Sequence, residues 1–95
     1  MNYIEALEKW RYKQCDGDWE HTYGVKINTL DNPGWKVVID ITETELADKH
    51  FSTIIEHRTE NDWIDCEVSD NKFMGHGGPL NLGEILSIFI NWINE

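Results

Sequence analysis

Ninety-five residues with eighteen acidic against eight basic side chains give a formal net charge of −10 and a pI near 4.6. Leu, Ile, Val and Phe make up about a quarter of the chain, enough for a core despite the charge, and two prolines and seven glycines exclude a low-complexity or collagen-like chain. The longest apolar-rich stretch, Ile85 to Ile93, is about half of the ~20 residues that cross a bilayer, and the N-terminus lacks the basic and apolar regions of a secretory leader. The expectation is a single cytoplasmic domain over residues 1–95, whose negative field repels nucleic acid and anionic membrane and draws cationic partners.

Tyr3 to Lys13 predicts a first helix, with Ile4, Leu7 and Trp10, flanked by Tyr3 and Arg11, on its apolar stripe. It ends at Cys15-Asp-Gly-Asp18, where Gly17 can adopt a turn or left-handed conformation. Tyr23 to Leu30 alternates with the period of two that marks a half-buried strand. Asp31-Asn-Pro-Gly34 follows as a turn of type II, in which Pro33 presets φ and Gly34 supplies the positive φ at the next position. Trp35 to Ile41 returns as a second strand with Trp35, Val37, Ile39 and Ile41 on one face.

Thr42 to Lys49 is polar and acidic and predicts a connecting loop. Phe51 to Arg58 predicts a third strand, its facing left open by the adjacent Ile54 and Ile55. Trp63 to Ser69 predicts a fourth, with Ile64, Cys66 and Val68 inward and Trp63, Asp65 and Glu67 outward. Lys72 to Met74 predicts a short fifth strand or a strand end. Gly75-His-Gly-Gly-Pro79 reads as a structure breaker, after which Asn81 as N-cap and Glu84 three residues on form a capping-box variant. The last helix carries Leu82, Ile85, Leu86, Phe89 and Trp92 or Ile93 on its stripe, broadened by Ile88 and Ile90. The sum is an α+β fold: an antiparallel four- to five-stranded meander with N- and C-terminal helices packed on one face and the other face open to solvent.

Four features could carry chemistry. Asp16, Asp18 and Glu20 offer oxygen ligands beside His21, but the segment lacks the length and the later glutamate of a calcium loop. The four histidines lack zinc spacing. The simpler reading has these acids bonding turn amides while Trp19 packs over the sheet rim; the alternative is a partner-facing acidic loop with Trp19 as anchor. Cys15 lies at a helix C-terminus among acids and Cys66 alternates with core residues, so neither is an activated nucleophile. Gly75 to Pro79 matches no phosphate-binding pattern and no lysine follows it. On the open face, Trp63, Asp65, Glu67 and Asp40 combine an aromatic anchor with steering charge, as interfaces do. No cofactor, metal or catalytic residue is expected.

Three segments, Cys15-Asp-Gly-Asp-Trp-Glu-His-Thr-Tyr-Gly24, Thr29-Leu-Asp-Asn-Pro-Gly-Trp35 and Gly77-Gly-Pro-Leu-Asn-Leu82, together resemble immunity protein family 53 of bacterial polymorphic toxin systems. Asp40-Ile-Thr-Glu-Thr-Glu-Leu46 and Asp62-Trp63 are also similar to it. The resemblance implies a cytoplasmic antitoxin, not an enzyme, that binds and neutralises a cognate toxin, and it brings no catalytic residues. The net charge suits a basic nuclease as that toxin. The partner-binding residues expected from the residue reading are Asp16, Asp18, Trp19, Glu20, Asp40, Trp63, Asp65 and Glu67. A small metal- or ligand-binding enzyme centred on Asp16, Asp18, Glu20 and His21 is the alternative, and a generic adaptor with no toxin a third.

Overall fold

The computed structural model describes residues 2–95. Helix α1 (Tyr3–Gln14) starts at Asn2, whose side-chain oxygen accepts from the Glu5 amide at 3.0 Å, and it buries Leu7 and Trp10. Tyr3 and Ala6 flank that stripe. Ile4, expected inward, is 65% exposed: successive helical residues are 100° apart, and Leu7 and Trp10 set the inward direction with Tyr3 rather than Ile4. A one-turn helix α2 (Trp19–Thr22) then leads into the first strand.

Strands β1 (Val25–Leu30), β2 (Gly34–Asp40), β3 (Ile54–Thr59), β4 (Asp62–Ser69) and β5 (Lys72–Gly77) form one five-stranded antiparallel sheet, and helix α3 (Leu82–Ile93) completes the chain. The expected α+β class and terminal helices hold. The strand order, however, is β1-β2-β5-β4-β3, so β2 pairs with β5 and the sheet is not a sequential meander. Two antiparallel units, β1-β2 and β3-β4-β5, meet along the β2–β5 seam.

The glycines of β5 explain how α3 seats on this sheet. Gly75 and Gly77 are buried strand residues, not the start of a breaker loop. A Cβ at Gly75 would collide with Ile85 Cγ2, and one at Gly77 would lie 2.9 Å from Ile85 Cδ1. Their missing side chains let α3 sit directly on the central strand. Gly34 is likewise a strand residue paired with Leu30, not a positive-φ turn position; its Cβ would meet the Gly77 carbonyl oxygen. The β1–β2 connection is therefore the three-residue Asp31–Pro33 loop and not a type II turn. Positive φ is instead used at Gly17 and at Asp70 and Asn71, with φ of 53° and 57°, the primed geometry that joins β4 to β5 with two residues.

The core lies between the sheet and the helices. Val37, Ile39, Ile41, Ile64, Cys66 and Phe73 come from the sheet side, and Leu7, Trp10, Ile85, Leu86, Phe89, Ile90 and Trp92 from the helices. Trp10 and Phe73 each pack on Phe89, with ring centroids 5.0 and 5.1 Å apart. Asn81 caps α3 by position, but its side chain makes no capping bond. Its amide donates to Asp62 and Glu84 instead.

Candidate functional site

The antiparallel register fixes the face that the helices leave uncovered. Ile54 pairs with Cys66 and is turned inward, so Ile55, opposite Asp65, is turned out and is 65% exposed. Trp63, Asp65 and Glu67 project from β4 on this face, His57 and Ile55 from β3, Met74 and His76 from β5, and Lys36, Val38 and Asp40 from β2. The outward reading of Trp63, Asp65, Glu67 and Asp40 agrees with this alternation.

Trp63 differs from the other tryptophans in its hydrogen bonding. The indole N–H of Trp10 donates to Glu45, that of Trp19 to the Thr42 carbonyl, that of Trp35 to the Pro79 carbonyl and that of Trp92 to the His50 carbonyl. Among the described residues the Trp63 N–H alone has no such acceptor. The half-buried Trp63 lines two hollows of about 340 Å³ each, one shared with Asn32, Pro33, Glu60 and Asn61, the other with His57, Thr59, Glu60 and Asp65. His57 stands edge-on to Trp63 with centroids 6.0 Å apart, and the His57 Nε2 atom is 2.9 Å from Asp65 Oδ1. Tryptophan residues in a core find a hydrogen-bond acceptor; an indole that keeps its donor and one edge free can supply both to another molecule.

The remaining expected residues are placed elsewhere. Trp19 is 3% exposed and packs edge-on to Trp10, so it is a core residue and not a surface anchor. Its flat apolar ring is worth more buried beside Trp10 than exposed. Asp16 Oδ1 accepts from the amides of Asp18 and Trp19, and the Glu20 carboxylate accepts from those of Asp16 and Gly17. Backbone amides hold both carboxyls below their ordinary values, those of Trp19 and Asp18 for Asp16, and for Glu20 its own amide first and then those of Asp16 and Gly17. The loop thus uses two acids to build its own turn, whereas Asp18 stays exposed. Asp40 shares the open face but lies at its far end, where Oδ2 accepts from the Gly24 amide and Oδ1 is 3.7 Å from Lys72. The structure therefore joins Trp63, Asp65 and Glu67, and separates them from the Asp16–Glu20 loop, which packs on the helix layer through Trp19.

Sequence reasoning missed His57, Ile55, Glu60 and His76 as neighbours of Trp63 and Asp65. Pairing β3 with β4 across the Glu60-Asn61 turn would have found the first two; His76 required β5 to extend through its glycines. Among the described residues no group of three His, Cys, Asp or Glu side chains is arranged to hold a metal ion, and no helix is long and apolar enough to cross a membrane. Cys66 is buried against Gly75 and Ile64, and desolvation, aided by the charges of Asp65 and Glu84, pushes its thiol up to about 12. That is the opposite of an activated thiolate.

The family model of immunity protein 53 matches residues 4–94. The chain belongs to the immunity protein 53 family. Neither a curated protein nor a solved structure matches it. Membership supports an immunity role with a toxin as partner, and the match spans the five strands and, but for Tyr3, the three helices.

Proposed function

We propose that this protein neutralises a cognate toxin by binding it rather than by turnover, with the open sheet face as the contact surface. Trp63 is the anchor, Asp65 and Glu67 steer the approach, and the surplus negative charge of the chain speeds encounter with a basic toxin such as a nuclease. The observation that carries the reading is the unpartnered Trp63 indole, which lines two hollows and projects from a face that the helices leave open.

The test is kinetic binding to the cognate toxin in inactivated form. Trp63→Ala is expected to speed dissociation and to cost on the order of 2 kcal/mol or more, as truncated aromatic anchors do. Asp65→Asn and Glu67→Gln slow association, and several hundred millimolar salt slows it for the wild type as well. Wild-type binding by all three variants, with association indifferent to salt, overturns the proposal.

A further inference from the structure

The open face is not uniformly acidic, and its charges are sorted. One row across the sheet runs Lys26, Val38, Met74, Glu67, and the next runs Asn28, Lys36, His76, Asp65, Ile55. Each row has one lysine, Lys26 on β1 or Lys36 on β2, and a carboxylate on β4. Lys26 and Lys36 are exposed, and among the described residues the ion pairs engage other side chains. The third lysine of the face, Lys72, is already matched with Asp40. Glu67 is likewise exposed and unpaired, while Asp65 has only His57. Between the two ends Val38 and Met74 are half-buried and apolar. At a strand spacing of about 4.8 Å, the Lys36 and Asp65 columns are about 10 Å apart, and those of Lys26 and Glu67 about 14 Å. The acidic end also has depth: a hollow of about 230 Å³ lies among Thr53, Ile55, Asp65, Glu67 and His76. It offers an apolar wall for a side-chain stem and carboxylates for a cationic head.

We infer that the toxin surface received by this face has two signs: a basic side chain that enters the Ile55–Asp65–Glu67 hollow, and an acidic group about 10–14 Å away that meets Lys36 and Lys26. This rests on the reading of the open face as the toxin-binding surface and specifies what that surface accepts. A uniformly positive partner would leave Lys26 and Lys36 facing like charge, which complementary interfaces avoid. The long-range attraction of a −10 chain and this local pattern act at different stages, the first during approach and the second at contact.

The two partner types make opposite predictions for the lysines. Lys26→Glu and Lys36→Glu make the chain more acidic overall. Against a uniformly basic surface they bind faster and tighter than wild type. Against a two-signed surface they place acid against acid, and affinity for the inactivated cognate toxin falls by about tenfold or more, tenfold being about 1.4 kcal/mol. Glu67→Lys is expected to weaken binding too, and Lys36→Glu combined with Glu67→Lys does not restore it, because both contacts are then reversed. Faster or unchanged binding by both lysine variants overturns the inference. If that result comes with weakened binding by Trp63→Ala and Glu67→Gln, the open face still binds the toxin and only the two-signed partner is lost. If those variants also bind as wild type does, the surface itself is elsewhere.

Discussion

A glycine under a helix and a glycine within one respond in opposite ways to the same added methyl. Gly75 faces Ile85 across the sheet–helix interface, and alanine there has no room. Overpacking of this kind costs roughly 1–3 kcal/mol, and Gly75→Ala is expected to lower the denaturation midpoint accordingly. Gly83, in the first turn of α3, has open space where a Cβ would lie, with no contact within 4 Å. Gly83→Ala therefore removes backbone freedom from the unfolded chain and gains about 0.5 kcal/mol. The two cysteines also separate at this scale. Cys66 is 1% exposed with its thiol pushed up to about 12, whereas Cys15 is half-buried at the end of α1. A thiol reagent applied to the native protein is expected to modify Cys15 first, and Cys66 only as fast as the sheet opens. Rapid native labelling of Cys66 contradicts the β4 register. The inward side of β4 was legible from alternation alone. Trp19 was legible only as a choice between packing over the sheet rim and standing as an exposed anchor, which the neighbouring Trp10 and the Thr42 carbonyl decide for burial.

Between elements, one guanidinium does much of the joining at the outer end of the sheet. Arg58 of β3 bonds Glu56 on its own strand, Asp62 at the start of β4 and Glu84 of α3, and Asn81 adds a donor to the last two. The Arg58 hydrogen bond, then that of Asn81, holds the Asp62 carboxyl below its ordinary value of 3.8. A carboxyl lowered in the folded state contributes stability that is present above its unfolded value and lost as pH falls through the lowered one. Arg58→Ala is therefore expected to melt earlier than wild type near neutral pH, with the two curves converging below about pH 4 as the acids protonate. The difference should also narrow in high salt, since these side chains are partly exposed. A gap unchanged by acid and salt would show that Arg58 acts through the packing of its stem. The same region shows where reading by element failed. Asn81 and Glu84 have the spacing of a capping box, yet the Asn81 side chain serves the Arg58 cluster instead. The strands themselves were legible apart from the start of β3, expected at Phe51 and found at Ile54, and the length of β5, since glycines at alternate positions carry no hydrophobic signal. Their order was not, because alternation along each strand does not say which strand it pairs with, and the β2–β5 ladder joins segments more than thirty residues apart.

At the scale of the molecule, the excess of acids acts on stability and on binding with opposite salt dependence. Eighteen acids on one small domain repel one another, and screening relieves that repulsion while it weakens attraction to a cationic partner. The melting temperature of the free protein is expected to rise from low to several hundred millimolar salt, the range over which association with the toxin slows. A falling melting temperature would mean that ion pairs such as those of Arg58 outweigh the net repulsion. Composition made the charge legible, but not its sorting into a cationic and an acidic end on the open face, which needs the register of four strands.

The β2–β5 seam has one more consequence. It divides the chain near residue 48 into two contiguous halves, α1 with β1 and β2, and β3 to β5 with α3. The side-chain bonds of the connecting segment sort the same way. Trp10 and Trp19 hold Glu45 and Thr42 on one side, and Lys49 and the His50 carbonyl hold the end of α3 on the other. Made as separate polypeptides, 1–48 and 49–95 each present a bare central ladder, of six residue pairs when joined, and half of a shared aromatic cluster. Mixing them is expected to restore the native tryptophan fluorescence that neither has alone. Trp63 and the acidic end of the face travel with one piece, Lys26 and Lys36 with the other, so a cell holding a single piece would have an incomplete antidote, and protection would report the meeting of both.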